Sequence, residues 1–177
     1  MEHKTGNLFD PELEDAPDLR LFTANGVVKR NGELVMGAGA AKMAKRLDPE
    51  APAAFGRLAR EEGAYDERFG AYVYGLLVDR ERGLGAFQTK FHYKGCASID
   101  LIALAAQKLA VFAERNPDLR IAVNYPGVGL GGLQREQVTA VLEEFWWGLP
   151  IEVWRFSPSG GFGPGVPVYR LPPRVGG

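Results

Sequence analysis

Two glycine-rich loops constrain the fold of this chain more than any other feature of its sequence. They are Met36-Gly37-Ala38-Gly39-Ala40-Ala41 and Gly127-Val128-Gly129-Leu130-Gly131-Gly132. Each follows a strand-like segment and leads toward a helical one, and glycine there lets the backbone adopt positive φ and approach a ligand closely. A helix N-terminus adds unpaired N–H groups and a partial positive charge, which suit phosphate. Two such loops in one small domain predict a pocket that grips a diphosphate from two sides.

The rest of the chain alternates between strand-like and helical hydrophobic patterns. This alternation predicts an α/β sheet buried on both faces, with ligands at the carboxyl ends of its strands. Both glycine loops and Lys90 follow strands, so we expect them to share one rim. The predicted strands are 19–24, 71–78, 84–89, 119–124 and 151–154, and the predicted helices are 40–47, 53–60, one that Ser98 caps and Asn116 ends, and 138–145.

The length and composition fit one domain followed by a tail. The chain has 177 residues, of which 46% are hydrophobic, enough for a substantial core. We expect this domain to span residues 1–156. Residues 157–177 contain six glycines and five prolines, so we expect a tail that lies extended on the domain. The net charge of −1 argues against a broad basic surface that tracks nucleic acid.

Cysteine content and hydropathy set expectations for the compartment. Cys96 is the single cysteine, so an internal disulfide and a cysteine-based zinc cluster are excluded, and the reducing cytoplasm is the simplest location. The sequence shows no apolar signal region and no membrane span, so we expect no association with a membrane. Metal ligands are not clustered, and we expect no metal and no cofactor. Cys96 and the pair Trp146-Trp147 are expected to pack inside the protein.

The motifs, in their order along the chain, resemble those of the macrodomain family over roughly residues 5–155. Gly6-Asn7-Leu8-Phe9 opens the pattern, Asn25 follows, and the two glycine loops come after it. Within the family the chain looks most similar to the branch of terminal ADP-ribose glycohydrolases and DarG-type antitoxins, which has a T-K motif before a helix. Here that motif is Thr89-Lys90. The resemblance implies a three-layer α/β/α sandwich with a mixed central sheet.

The resemblance also implies a cleft that binds ADP-ribose. Asn7, beside Leu8, matches the residue that reads the adenine amino group, and its side-chain carbonyl is able to accept that hydrogen bond. Asn25 matches an asparagine close to the distal ribose, which makes it a catalytic candidate beside Lys90. The first loop would line the distal ribose and the diphosphate through Gly37, Ala38 and Gly39. The second would cradle the diphosphate through the backbone of Gly127, Val128, Gly129, Leu130 and Gly131.

Lys90 matches the lysine that attacks the anomeric carbon C1″ of the distal ribose in this branch. An amine is nucleophilic only in its neutral form, so such a lysine needs suitable surroundings. The eukaryotic enzymes of this branch add an aspartate in the second loop, where this chain has Gly131. That departure favours a nucleobase-linked ADP-ribosyl group, on DNA, over a glutamate-linked one. The implied partners are ADP-ribose or ADP-ribosylated nucleic acid and a cognate ADP-ribosyltransferase toxin.

Other readings of the same residues remain open. The chain would be a non-catalytic reader of ADP-ribose if the missing aspartate abolishes turnover. It would be a phosphatase of ADP-ribose 1″-phosphate if the cleft presents that substituent instead. A Rossmann dehydrogenase is disfavoured, because the first loop is not a G-x-G-x-x-G turn after an initial strand. Taken singly, the glycine loops would indicate only close packing of strand on helix, and Lys90 only a solvated lysine at a strand end.

Overall fold

The computed structural model describes residues 1–157, and in this range strands and helices alternate. The strands are β1 (Glu2–Gly6), β2 (Leu19–Ala24), β3 (Ala64–Asp66), β4 (Ala71–Val73), β5 (Leu76–Asp79), β6 (Leu84–Gln88), β7 (Ile121–Asn124) and β8 (Glu152–Phe156). The helices are α1 (Gly39–Leu47), α2 (Ala51–Glu62), α3 (Ile99–Arg115) and α4 (Arg135–Phe145). The expected tail lies outside the described residues, apart from Ser157.

Six of these strands form the central sheet, in the order β1-β8-β7-β2-β6-β5. The first five run parallel to their neighbours, and β5 alone is antiparallel, because the short turn from β5 to β6 reverses the chain. The parallel strands therefore all end at the same edge of the sheet. β3 and β4 pair with each other in a separate antiparallel hairpin.

Helices cover both faces of this sheet, and alternate residues of β2 point to opposite faces. Leu19 and Leu21 belong to the core that α3 and α4 complete, whereas Phe22 and Ala24 belong to the core that α1 and α2 complete. The chain is thus a three-layer α/β/α sandwich with a mixed central sheet. This result confirms the predicted fold class.

The prediction of one strand over 71–78 is wrong, because two strands occupy this range. β4 ends at Val73, β5 begins at Leu76, and Gly75 between them has a φ of +75°. The N–H groups of Tyr74 and Gly75 both donate to the side-chain oxygen of Gln88, at 2.9 and 3.0 Å. The side chain of Gln88, on the neighbouring strand β6, thus takes the place of backbone hydrogen bonds between strands, and the chain leaves the sheet at this point.

Two side chains that were expected in the core are exposed. Trp146 is buried and donates through Nε1 to the Ala106 carbonyl, but Trp147 is 88% exposed. Consecutive residues at the end of a helix point about 100° apart, so only one of the pair can face the core. Cys96 is also exposed, in the loop before α3. The predicted cap of α3 is confirmed, since the Ser98 hydroxyl accepts from the N–H of Leu101.

Across residues 1–157, the helices fall short of the length and apolar character that crossing a membrane would need.

Candidate functional site

A cavity of about 480 Å³ opens at the edge where the parallel strands end. The loops that follow β2, β6 and β7 supply its walls, which is the position at which open α/β sheets bind ligands. It is lined by Thr23, Ala24, Asn25, Val35, Gly37, Ala38, Gly39, Ala40, Ala41, Thr89, Lys90, Tyr93, Asn124, Tyr125, Gly127, Val128, Leu130 and Gly131.

The first glycine loop brings the N-terminus of α1 to this cavity. Ala38, the N-cap residue, is extended, and no side chain caps the helix. Gly39 has a φ of +58°, and Ala40 and Ala41 in the first turn also line the cavity. The first N–H groups of a helix have no partner within the helix and carry a partial positive charge. This wall is suited to an anion.

The second glycine loop is folded tightly against α3. Gly127 and Gly129 have φ values of +74° and +79°, and the N–H of Leu133 donates to the Gly127 carbonyl at 2.9 Å. The carbonyl of Gly131 accepts from the N–H of Ala97 at 3.0 Å. A Cβ on Gly131 would lie 2.9 Å from the Cβ of Ala97, so an aspartate does not fit there unless that helix entry shifts.

Leu130 joins the two loops across the cavity. Its side chain is 73% exposed, and its Cδ1 would lie 3.5 Å from a Cβ on Gly39. A large apolar side chain that is held at such a rim contacts whatever enters between the loops. Leu130 therefore covers the uncapped N-terminus of α1.

Asn25 is buried and holds the first loop in place. Its Nδ2 donates to the Val35 carbonyl at 3.0 Å, and its Oδ1 accepts from the N–H of Val27 at 2.8 Å. The hydroxyl of Tyr74 donates to the Asn25 carbonyl at 2.7 Å. Burial raises the pKa of Tyr74 far above its usual value, so this hydroxyl stays protonated and keeps its donor role. Asn25 lines the cavity, and its Nδ2 carries a second proton that these hydrogen bonds do not use.

Lys90 follows β6 and lines the cavity, and its backbone is fixed. Its N–H donates to the Ala24 carbonyl at 3.2 Å, and its own carbonyl accepts from Nε2 of Gln88 at 3.2 Å. Gln88 is fully buried, and its Nε2 also donates to the Tyr72 carbonyl. Within residues 1–157, the Lys90 ammonium has neither a hydrogen bond nor an ion pair. Among the residues of this range that line the cavity, Lys90 is also the one that carries a charge.

Asn124 joins β7 to β2 where the ladder between them ends. Its Oδ1 accepts from the N–H of Thr23 at 2.9 Å, and its Nδ2 donates to the Thr23 hydroxyl at 3.1 Å. The side chain thus takes the place of backbone pairing and lets the two strands part. Asn124 lines the cavity at this point, and sequence reasoning missed it.

A second cavity of about 440 Å³ adjoins the first and is mostly apolar. Asn124, Gly39, Ala40 and Leu130 line both cavities. The remaining walls of the second come from Gly6, Leu8, Phe9, Met43, Trp154 and Phe156. The two cavities together form a cleft with a polar, cationic end at Lys90 and an apolar end at β1 and β8.

Solved structures that resemble this fold include three DarG or DarTG proteins. The macrodomain of Mycobacterium tuberculosis DarG matches with a TM-score of 0.62 and 25% identity, over 88% of this chain and 97% of that chain. The macrodomain of Thermus aquaticus DarG gives 0.62 and 24%, over 89% and 97%. Thermosipho africanus DarTG in complex with ADP-ribose gives 0.55 and 20%, over 87% and 41%. No protein-family model matches the sequence, and no curated protein matches it.

This chain has the macrodomain fold. The resemblance that the sequence motifs indicated is therefore confirmed at the level of structure. The sequence predicts that both glycine loops, Asn25 and the T-K motif are parts of one site, and in the structure they border one cavity.

Two of the proposed site residues do not border either cavity. Gly129 lies in the second loop, between residues that line the main cavity, but does not itself line it. Asn7 follows β1, and its Oδ1 accepts from the N–H of Phe9 at 3.1 Å. Its neighbour Leu8 does line the second cavity. The role of Asn7 therefore remains a prediction.

The lining of the main cavity contains lysine, asparagine, threonine and tyrosine, but no carboxylate and no imidazole, within residues 1–157. An anion that enters meets N–H donors and one ammonium without opposing negative charge. The same composition leaves the cavity without a carboxylic acid or a histidine for general acid–base catalysis. Both properties bear on the choice of function.

Proposed function

We propose that this macrodomain binds ADP-ribose and hydrolyses its linkage to a nucleobase. The observation that carries the proposal is that an uncapped helix N-terminus, a glycine loop and Lys90 line the same cavity. The two loops supply N–H donors for a diphosphate. Support for the ligand comes from the similar Thermosipho africanus DarTG, whose structure contains ADP-ribose.

The shape of the cleft suggests the orientation of the ligand. The apolar second cavity suits the adenosine end, because a purine buries a large flat surface. The distal ribose then reaches toward Asn25 and Lys90 in the main cavity. Asn7 would read the adenine amino group with the second lone pair of its Oδ1, since the first already accepts from Phe9.

Hydrolysis would proceed in two balanced steps. The Lys90 ammonium first loses a proton to solvent. The resulting neutral amine attacks C1″, the bond from C1″ to the base nitrogen breaks, and its electron pair leaves with the base. A proton from the attacking amine goes to that base nitrogen. Water then displaces the lysine at C1″, which returns the amine and releases ADP-ribose. Each step uses only the substrate, water and Lys90.

The second loop supports a nucleobase rather than a glutamate as the leaving group. An aspartate at Gly131 would collide with Ala97, so the loop is built without the acid that assists the lysine in the eukaryotic enzymes of this branch. A nucleobase on DNA implies a transferase that attaches ADP-ribose to DNA, and we propose such an enzyme as the partner. The shared compartment would be the cytoplasm.

A second candidate function is recognition of ADP-ribose without turnover. The observation that favours it is the absence of a carboxylate or imidazole from the lining of the main cavity within residues 1–157. A reader would bind ADP-ribose but release no product from any ADP-ribosyl conjugate.

The decisive experiment is a time course of ADP-ribose release from thymidine-modified DNA, guanosine-modified DNA and a glutamate-modified peptide. Wild type would be compared with Lys90→Ala and with Lys45→Ala, which removes an exposed lysine of α1 outside the cavity. We expect release from one DNA, at least 100-fold slower in Lys90→Ala and unchanged in Lys45→Ala. Full activity of Lys90→Ala would contradict the mechanism, and ADP-ribose binding without any release would favour the reader. Phosphate release from ADP-ribose 1″-phosphate that survives Lys90→Ala would favour a phosphatase.

A further inference from the structure

The rim beside Lys90 carries an aromatic side chain that the reaction above does not use. Among the large apolar side chains that are exposed within residues 1–157, Tyr93 and Leu130 line the main cavity. Leu130 covers the end of α1, where the diphosphate is expected. Tyr93 is 42% exposed and lies three residues beyond Lys90. An aromatic ring therefore stands on the side of the cavity that holds the proposed nucleophile.

The segment that carries Tyr93 is fixed in place. The Phe91 carbonyl accepts from the N–H of Gly26 at 3.0 Å, and the Phe91 ring stacks on Phe69 at 4.2 Å between centroids. The N–H of Lys94 donates to Nδ1 of His92 at 3.1 Å, and the His92 and Tyr93 rings lie 4.4 Å apart. The backbone is thus anchored on both sides of Tyr93, which limits the conformational entropy that the segment loses when it contacts a ligand.

The charge of this rim complements a polyanion. From residue 90 to residue 98 the sequence contains Lys90 and Lys94 and no Asp or Glu. The Lys94 ammonium lies 6.0 Å from the centroid of the Tyr93 ring. Arg68 lies over Phe69 at 5.4 Å, although Asp66 pairs with it and offsets its charge. Aromatic rings combined with a few cations are typical of surfaces that bind single-stranded nucleic acid.

We propose that Tyr93 stacks on the nucleobase from which ADP-ribose is released, and that Lys94 contacts a phosphate of the strand that carries this base. The proposal rests on the proposed function and assigns the two residues that hold the leaving base and its strand. A base that stacks on Tyr93 beside Lys90 has left its helix, and a single strand meets this condition without the cost of unpairing. The rim has few cations, so contacts with only one or two phosphates are expected.

The test compares three substrates that carry the same ADP-ribosyl group. They are the modified nucleoside alone, the same nucleoside within a single-stranded oligonucleotide, and the glutamate-modified peptide. Tyr93→Ala should lower kcat/KM about 5- to 160-fold for both nucleobase substrates, the range of one base–aromatic stack, and should leave the affinity for free ADP-ribose unchanged. Tyr93→Phe should recover most of the loss, because it restores the ring. Trp147→Ala is the control, since it removes an exposed ring remote from the cavity lining.

Lys94→Ala tests the contact with the DNA strand separately from the contact with the base. It should weaken action on the oligonucleotide and spare the nucleoside. It should also reduce the slope of log affinity against log salt concentration by about one for the oligonucleotide. Equal effects of Lys94→Ala on the nucleoside and the oligonucleotide would overturn the assignment of a phosphate contact.

The outcomes distinguish this inference from the proposed function. If wild type binds no ADP-ribose and turns over no substrate, both fail. If wild type releases ADP-ribose from the oligonucleotide and Tyr93→Ala does so equally well, only the stacking role is overturned. Loss of free ADP-ribose affinity in Tyr93→Ala would also overturn it, because the ring would then belong to the ADP-ribose contacts. Stronger action on duplex than on single-stranded DNA would also overturn the stacking role, because stacking on Tyr93 needs a base that has left its helix.

Discussion

The two glycine loops share a sequence pattern, but they contain glycine for different physical reasons. A Cβ on Gly37 in the first loop would meet nothing within 4 Å, because the space beside it is the cavity. A Cβ on Gly127 in the second loop would lie 2.6 Å from Cδ1 of Ile102. Gly37 in the first loop leaves room for a ligand, whereas Gly127 in the second leaves room for a helix. A glycine motif in a sequence therefore predicts that something lies close to the backbone. It does not tell whether this is a ligand or another part of the protein.

The largest effect on stability is expected from Gly127→Ala. The substitution combines a φ of +74° with a contact of 2.6 Å to Ile102, and the two costs together should lower the free energy of unfolding by about 2–4 kcal/mol. Urea unfolding measures it. Gly148→Ala is the matched control, because Gly148 has a φ of +78° and nothing within 4 Å of its added Cβ. Equal losses in both variants would mean that packing against α3 does not distinguish the second loop.

A smaller effect on stability, with a clear effect on binding, is expected from Asn25→Ala. The substitution removes the hydrogen bonds to Val27 and Val35 that close the first loop, at a cost of about 1–3 kcal/mol. Affinity for ADP-ribose should fall with it, because the loop loses its shape. Asn25→Asp keeps the acceptor for the N–H of Val27 but sets a carboxylate oxygen against the Val35 carbonyl, so it should not recover the lost stability. Calorimetric titration and urea unfolding on the same variants test this, and unchanged affinity in Asn25→Ala would contradict it.

Gly37→Leu should separate binding from stability. Its side chain would enter the cavity, so ADP-ribose affinity should fall about tenfold or more, equivalent to roughly 1.4 kcal/mol, with stability changed by less than about 0.5 kcal/mol. Gly37→Ala should fall between Gly37→Leu and wild type. Ala53→Leu adds the same bulk at an exposed position of α2 and should alter neither quantity. A loss of stability in Gly37→Leu would remove the contrast between the loops.

The smallest effect concerns pH and lies at the end of the sheet remote from both loops. Burial alone would raise the pKa of Glu152, but hydrogen bonds from Arg120 and Trp154, with the charges of Arg120 and Lys4, hold it below its usual value. A lowered pKa in the folded state adds stability that is complete above the unfolded value and is lost as pH falls through the folded value. Glu152→Gln should therefore be less stable at pH 7 and depend less on pH below about 4. Urea unfolding across pH 2–7 measures it, and parallel curves for the two proteins would contradict the assignment.

Local patterns in the sequence were enough to predict much of the fold and part of the cleft. Strands, helices and glycine loops follow from hydrophobic period and from turn residues, which are properties of neighbours along the chain. Asn124 was missed because its partner Thr23 lies 101 residues away, and only the pairing of β2 with β7 brings them together. The break at Gly75 depends in the same way on the side chain of Gln88.

The second cavity was outside the reach of sequence reasoning for a related reason. Its walls come from β1, α1, β7 and β8 together, so it exists only once the edge of the sheet is assembled. Tyr125 and Tyr93 also gain meaning from the fold, because an aromatic residue beside a strand usually belongs to the core and here both line the main cavity. Hydrophobic residues that recur every two or 3.6 positions predict strands and helices. They do not indicate which distant segments come into contact.

The central claim is that the two loops grip one diphosphate between them, and amide chemical shifts test it most directly. ADP-ribose would be titrated into the isotopically labelled protein, with adenosine and ribose 5-phosphate as separate controls. We expect ADP-ribose to shift the amides of Gly39, Ala40 and Ala41 and those of residues 127–131 at a common dissociation constant, with no shift at Trp147. Binding that moves only one loop, or that maps to another surface, would contradict the account.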